Sequence, residues 1–312
     1  MARAKALKKT AAPPPPQTIR QSLRQSVRAH YDMQKLRIQT GNRIVANFKA
    51  LLGQEAGIKE ADLDTSARDL LTRLRTRYKR MARGIAERRK SLVSLFGHPI
   101  ISDEGHADLV RSYFDLEQNE EQSAKVISRS VSNFPIWDGF LKGVKGIGPM
   151  IAAVLLTEID IARARYPSSL WKYAGLDVVD VEGSGQGRSK REAHLVEREY
   201  TAKDGSTKMR NSITFNPFLK TKLLGVLGPS FLKANNAGYR QLYDEAKHRY
   251  TTDPRHADKS KGHVHNMAMR VMVKRFLADL YNVWRPMEGL EVAPTYHEAK
   301  QGHRHQPKRK AA

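Results

Sequence analysis

Two stretches near the middle of this 312-residue chain place residue types suited to gripping or attacking an anion. The first, residues 144–157, reads Val-Lys-Gly-Ile-Gly-Pro-Met-Ile-Ala-Ala-Val-Leu-Leu-Thr. Gly146 and Gly148 lack a Cβ, so a turn there reaches dihedrals closed to other residues and lies close against a phosphate. Pro149 suits the first helical position, where no amide donor is needed. The amides behind it carry the positive end of a helix dipole and favour an anion, with Lys142 and Lys145 adding charge at the lip. Ile147 serves as the buried anchor of such a turn, and equally of a plain tight turn between packed helices. The second stretch, residues 183–191, reads Gly-Ser-Gly-Gln-Gly-Arg-Ser-Lys-Arg. It presents the Ser184 hydroxyl beside Arg188, Lys190 and Arg191, a composition that suits a phosphate-contacting loop or a solvated linker. His263 and His265 lack a third ligand nearby, so a helix start or polyanion contact suits them better than a metal. Cysteine is absent, which excludes disulfides and thiolate metal sites.

The elements that position these stretches read as helices. A glycine-bracketed turn opening directly into an apolar helix has the pattern of a helix-hairpin-helix, with its first helix beginning near Trp137. Residues 166–176 predict a short helix started by Pro167 and Ser168 and ended by Gly175. Residues 194–215 alternate around Lys203-Asp204-Gly205, through Val196, Arg198, Tyr200, Lys208, Arg210 and Ile213, and predict a β-hairpin. Its basic residues suit either a ribbon entering a nucleic-acid groove or an ordinary surface hairpin. Asn216-Pro217 then starts a helix with Phe218, Leu219, Leu223, Leu224 and Leu227 inward and Lys220 and Lys222 outward. Two long helices follow, residues 239–250 and 264–284. The latter carries Met267, Val271, Phe276, Leu277, Leu280 and Tyr281 as its core stripe.

Toward the N-terminus, Ile19, Leu23, Val27, Met33, Leu36, Ile44, Val45 and Phe48 recur at helical spacing. Asp64 is a candidate N-cap for a second helix with Leu71, Leu74, Tyr78, Met81, Ile85 and Leu92, three and four apart except where Arg88 interrupts. This is coiled-coil spacing, compatible with a homo-oligomer or with an antiparallel pair inside one chain. A polar, acidic helix is expected over residues 104–130, and no strand pattern precedes residue 170. The expected fold is mostly α: an N-terminal, coiled-coil-like helical pair, then a helical bundle holding the helix-hairpin-helix and a small β-hairpin. The expected divisions are a disordered, basic and proline-rich arm over 1–16, a helical region over 17–135, a hairpin-motif domain over 136–290 and a basic tail over 291–312.

Charge narrows the partner. Fifty-five Lys and Arg stand against 32 Asp and Glu, a formal charge of +23, which suits a polyanion bound through counterion release. Residues 1–50 alone hold eleven Lys and Arg against one Asp, a face that is either solvated or in contact with nucleic acid. No apolar run approaches the ~20 residues that span a bilayer, and the charged start lacks the apolar segment of a secretory signal. The expectation is a cytoplasmic protein without a membrane partner.

The order Gly-Ile-Gly-Pro-Met-Ile-Ala-Ala, then Tyr-Pro-Ser-Ser-Leu-Trp-Lys-Tyr-Ala-Gly-Leu, then Ser-Gly followed by Arg-Ser-Lys-Arg resembles the C-terminal domain of a bacterial insertion-sequence transposase family. That family pairs an acidic Asp-Glu-Asp-Asp (DEDD) nuclease-like domain with a serine nucleophile, and some members are guided by a bridge RNA. The likeness is strongest over residues 140–191 and looser to about 290. It implies a nucleoid-associated DNA-binding protein acting in DNA transposition and recombination. Ser184 would attack a DNA phosphate, with Lys190 and Arg191 near that phosphate. A serine hydroxyl needs a base or metal, and the developing charge needs cations such as Arg188 and Lys190. In the family, base and divalent ion (Mg²⁺) belong to the acidic domain. This chain departs from the pattern, because Asp32, Glu55 and Glu60 lie on no strand-like run and Asp62, Asp64, Asp103 and Glu104 fall on helical or turn segments. The resemblance therefore implies a separate acidic partner protein and no cofactor held by this chain. Three readings follow: a transposase completed by that partner, a non-catalytic helix-hairpin-helix binder of DNA or structured RNA derived from one, and a helical scaffold whose charge serves solubility or RNA packaging.

Overall fold

A computed structural model describes residues 16–51, 104–177 and 194–294, together with residues 62, 65, 68, 69, 72, 94, 95, 98 and 99. These residues are mostly helical, with a small antiparallel hairpin. The chain divides into two compact units, Gln25–Ile127 and the combination of Met1–Arg24 with Ser128–Ala312.

Helix α1 (Pro16–Leu51) opens on the last residue of the proline run. Proline's fixed φ and missing donor suit the first turn, so Pro16 belongs to the helix rather than to the expected arm. Leu23, Val27 and Ile44 are buried as expected, whereas Leu36 is 51% exposed. The buried stripe instead passes through His30 and Thr40. Polar residues occupy it because α2 (Glu104–Val131) places Glu120 within reach of Gln34 Nε2 at 2.8 Å and Arg37 Nε at 2.5 Å. Arg37 also donates to the Tyr113 hydroxyl at 3.1 Å. Below this polar cluster Ile44 packs with Val110 and Tyr113, flanked by Leu109 and Phe114. The sequence placed a helix over residues 104–130 but gave no sign that it packs on α1. Leu71, Leu74, Tyr78, Met81, Ile85 and Leu92 lie outside the described residues. Strands β1 (Ser94–Leu95) and β2 (His98–Pro99) pair antiparallel where no strand was expected. A two-residue ladder is too short to leave an alternating pattern.

The other unit is built round a long central helix. Its elements are α3 (Pro135–Gly139), a 3-10 turn (Leu141–Gly143), α4 (Pro149–Glu158) and α5 (Pro167–Tyr173). Strands β3 (Leu195–Thr201) and β4 (Thr207–Ile213) follow. Helix α6 (Pro217–Lys222) continues through a π-helical turn (Leu223–Leu227) into α7 (Gly228–Lys233), and then come α8 (Ala237–Thr252) and α9 (Lys261–Met287). Every residue of α4 from Ile151 to Glu158 is buried, the expected fate of a helix that is apolar all round. Helix α9 packs against α3, α5, α7 and α8, so its buried arc is wider than a single stripe. Phe276, Leu277, Leu280 and Tyr281 are fully buried, but Met267 and Val271 are only half-buried while Ala268, Met272 and Val273 take the deepest upper positions. Strands β3 and β4 pair in register from Leu195↔Ile213 to Thr201↔Thr207. Their turn is closed by Asp204, whose Oδ1 accepts from Ser206 N at 3.0 Å, with Gly205 at φ +80°.

Candidate functional site

The glycine turn has two unlike sides. Helix α3 and the 3-10 turn deliver the chain to it, and Leu141 and Ile147 anchor it in the core. Gly146 has φ +103°, and a Cβ there would lie 3.0 Å from Phe231 Cδ1 and 3.2 Å from the Ser230 carbonyl oxygen. Ser230 Oγ donates to the Gly146 carbonyl at 2.7 Å, and Asn236 Nδ2 donates to the Lys145 carbonyl at 2.8 Å. The carbonyl side of the turn is thereby fastened to α7 and the residues after it.

Gly148 faces the other way. It is exposed, its φ of −98° suits any residue, and a Cβ there would meet nothing within 4 Å. As N-cap of α4 it offers no side-chain cap, and Pro149 follows directly. The first-turn amides of α4 therefore lack intrahelical acceptors. Lys145 is exposed at this edge. Lys142 is exposed too, but its Nζ lies 3.1 Å from Asp138 Oδ1. A solvent-exposed pair of this kind is weak and screened by salt, so Lys142 brings less free charge to the lip than its sequence position suggests.

The far end of α4 was missed by sequence reasoning. Glu158 is buried there, accepting from Asn216 Nδ2 at 2.6 Å and pairing with Arg24 Nε at 3.5 Å. Arg20 Nε donates to the Leu156 carbonyl at 2.9 Å and its Nη2 to the Ile159 carbonyl. Cations are favoured at a helix C-terminus. Arg20, Arg24 and Arg37, counted as part of a basic face, are thus committed to tertiary contacts. Asn216 also caps α6, accepting from Leu219 N at 3.1 Å, and its amide group donates to the Tyr173 hydroxyl at 3.1 Å.

Ser184, Arg188, Lys190 and Arg191 lie outside the described residues, but both flanks of their segment are described. On the upstream side α5 ends with Gly175 at φ +63°, Gly175 N donating to Lys172 O and Leu176 N to Trp171 O. This left-handed helix end is open to glycine at little cost. On the downstream side the His194 ring meets Phe215 edge-on at 5.2 Å, and its Nδ1 lies 3.3 Å from Thr214 Oγ1. Phe215 also lies where a Cβ on Gly175 would fall, 2.7 Å away. The two flanks therefore meet at one aromatic ring.

A cluster of charge stands beside that ring. Lys220 Nζ sits 4.3 Å from the Phe215 centroid, and Lys274 Nζ sits 5.5 Å from the Trp171 ring. Burial pushes both ammonium groups below the usual lysine range, the neighbouring Arg270 lowers them further, and Asp177 opposes the shift. Arg270 Nε and Asp177 Oδ1 are buried without a hydrogen-bond partner. The sequence marks Lys220 as an outward charge and does not set Arg270 or Lys274 apart from the other basic residues. Their i,i+4 spacing as like charges on one helix was the available signal.

The remaining candidates separate. His265 Nδ1 lies 2.6 Å from the Tyr243 hydroxyl, while His263 is exposed. Among the described residues no three His, Asp or Glu side chains converge in a metal-holding group. The hairpin stands out from the protein, with Arg198 opposite Arg210 and Tyr200 opposite Lys208 on one face. Arg210 stacks over Tyr200 at 5.1 Å. Among the described residues no helix is long and apolar enough to cross a membrane.

No curated protein and no solved structure matches the chain. Residues 138–212 match the family described as Transposase IS116/IS110/IS902. The matched span runs from α3 through the glycine turn, α4, α5 and the Ser184 segment to β4. Over this span the chain is similar to the transposases of the IS116/IS110/IS902 family.

Proposed function

We propose that the chain acts in DNA transposition, holding a DNA backbone at the open side of its glycine turn and transferring a strand through Ser184. The observation that carries this reading is a family match that embraces both the turn and the Ser184 segment. In support, Gly148 leaves open space where an anion would approach first-turn amides that have no intrahelical acceptors. The arrangement of α3, turn and α4 is read as a helix-hairpin-helix, with Lys145 beside it. The exposed face of Arg198, Tyr200, Lys208 and Arg210 is read as a second backbone contact, since two arginines directly opposite repel unless an anion lies between them.

In the proposed step, the Ser184 Oγ–phosphorus bond forms as the bond from phosphorus to one sugar oxygen breaks. The serine proton passes to a base, and the departing sugar oxygen takes up a proton. The base belongs to a separate acidic nuclease-like domain, which would also hold any divalent ion. No described residue of this chain is assigned to that ion.

The test is an SDS-stable protein–DNA adduct formed by the full chain with labelled duplex DNA, magnesium and the acidic nuclease-like domain. Mass spectrometry should place the phosphate on Ser184, and Ser184→Ala should abolish the adduct. Persistence of the adduct in that variant would remove serine from its role. Tight DNA binding with no adduct under any of these conditions would favour the second reading, a non-catalytic binder.

A further inference from the structure

We propose that Lys220, Arg270 and Lys274 form a pocket for one phosphodiester of the DNA, at the root of the segment that carries Ser184. The inference rests on the strand-transfer reading above and adds cations to the Arg188, Lys190 and Arg191 of that reading. Among the described residues three positive side chains share this place with one carboxylate, Asp177, and that imbalance is the core of the case. Arg270 and Lys274 stand one turn apart on α9, where like charges repel. Lys220 arrives from α6, and both lysines respond electrostatically to Arg270 and to Asp177. Surface lysines would escape such crowding into water. These two are held by packing instead, Lys220 over Phe215 and Lys274 over Trp171. Trp171 is itself fixed, its Nε1 donating to the Lys274 carbonyl at 2.9 Å.

The guanidinium of Arg270 supplies the second observation. Its Nε is buried and makes no hydrogen bond, an arrangement that is costly for a charged donor. An oxyanion would satisfy that donor and relieve the mutual repulsion of the three cations. A phosphodiester fits better than a carboxylate ligand because its spread negative charge and several acceptor oxygens match one planar fork and two point charges. The position favours DNA as the source. Asp177 is the last described residue before the Ser184 segment, and His194, against Phe215, is the first after it. Charge placed there would stabilise a phosphorus centre attacked from that segment.

Acetic-anhydride footprinting of the wild-type full chain, read by mass spectrometry, needs no variant. Lys220 and Lys274 should acetylate readily in the free protein and be protected by a duplex DNA, with Lys261 as an exposed control. Equal protection by inorganic phosphate and none by the duplex would overturn the DNA assignment, as would no protection by either. Lys220→Gln, Arg270→Gln and Lys274→Gln should each reduce the slope of log affinity against log salt by about one. Each should also slow Ser184 adduct formation by about 100-fold. A merely structural cluster would lower the melting temperature and leave the salt slope unchanged, which would overturn the proposal. Failure of the wild-type chain to form an adduct, with Lys220 and Lys274 still protected by DNA, would sink the Ser184 reading and leave the pocket standing.

Discussion

Gly146 and Gly148 have the same side chain and opposite duties. A methyl group on Gly146 would press on Phe231 and the Ser230 carbonyl at a backbone angle of +103°, a combination of left-handed strain and overpacking. Gly146→Ala should destabilise the protein by roughly 2 kcal/mol, visible as a lower midpoint in urea unfolding. Gly148→Ala puts its methyl into open space at an ordinary φ. Its only structural penalty is a poorer N-cap, less than about 1 kcal/mol. If DNA lies against that edge, the same methyl should weaken binding about tenfold while leaving the unfolding midpoint nearly unchanged. Unaltered affinity in Gly148→Ala would remove the turn from the DNA interface. The sequence made both glycines look alike because neither residue type nor spacing records which side of a turn a neighbouring helix will cover. That information sits in Ser230, Phe231 and Asn236, some ninety positions downstream. The same limit hid Glu158, whose partners Arg24 and Asn216 come from distant elements.

At the scale of elements, local signals were legible wherever they were self-contained. The Asp204-Gly205 turn, the Asn216 cap and the Gly175 helix end each follow from a few adjacent residues. Helix boundaries near Tyr239 and Val264 follow from periodicity in the same way. What periodicity could not supply was partner choice: polar Gln34 and Arg37 occupy the inward side of α1 because Glu120 waits on α2. The β3–β4 hairpin offers a test at this scale. Nearly all its residues are exposed, so the ribbon contributes little to the core, and Arg198 opposite Arg210 works against strand pairing. Arg198→Thr with Arg210→Thr should therefore leave the unfolding free energy unchanged or raise it slightly, by about 0.5 kcal/mol. DNA affinity should fall and the salt slope should drop by about two. Stability gained with no change in either binding quantity would make this an ordinary surface hairpin.

For the whole molecule, a charge of +23 guarantees attraction to any polyanion and so carries little information by itself. What distinguishes a shaped interface from a diffuse one is how affinity and salt dependence respond separately. A cation that contacts phosphate displaces counterions, so its removal lowers both affinity and slope. A backbone amide or a helix dipole holds the same phosphate without displacing a full counterion. Gly148→Ala should therefore lower DNA affinity at fixed salt while leaving the slope close to that of the wild type, whereas Lys145→Gln should lower both, the slope by about one. Measuring fluorescence anisotropy of a labelled duplex from 50 to about 200 mM salt separates the two behaviours. A chain whose charge acts only through its termini would respond otherwise. Removing residues 1–15 and 295–312 would then erase binding, and neither turn variant would change anything. The transposase-type reading requires the reverse, a truncated protein that binds with reduced slope and still loses affinity on Gly148→Ala, because the positioning of a strand at the turn depends on the described helices and not on the tails.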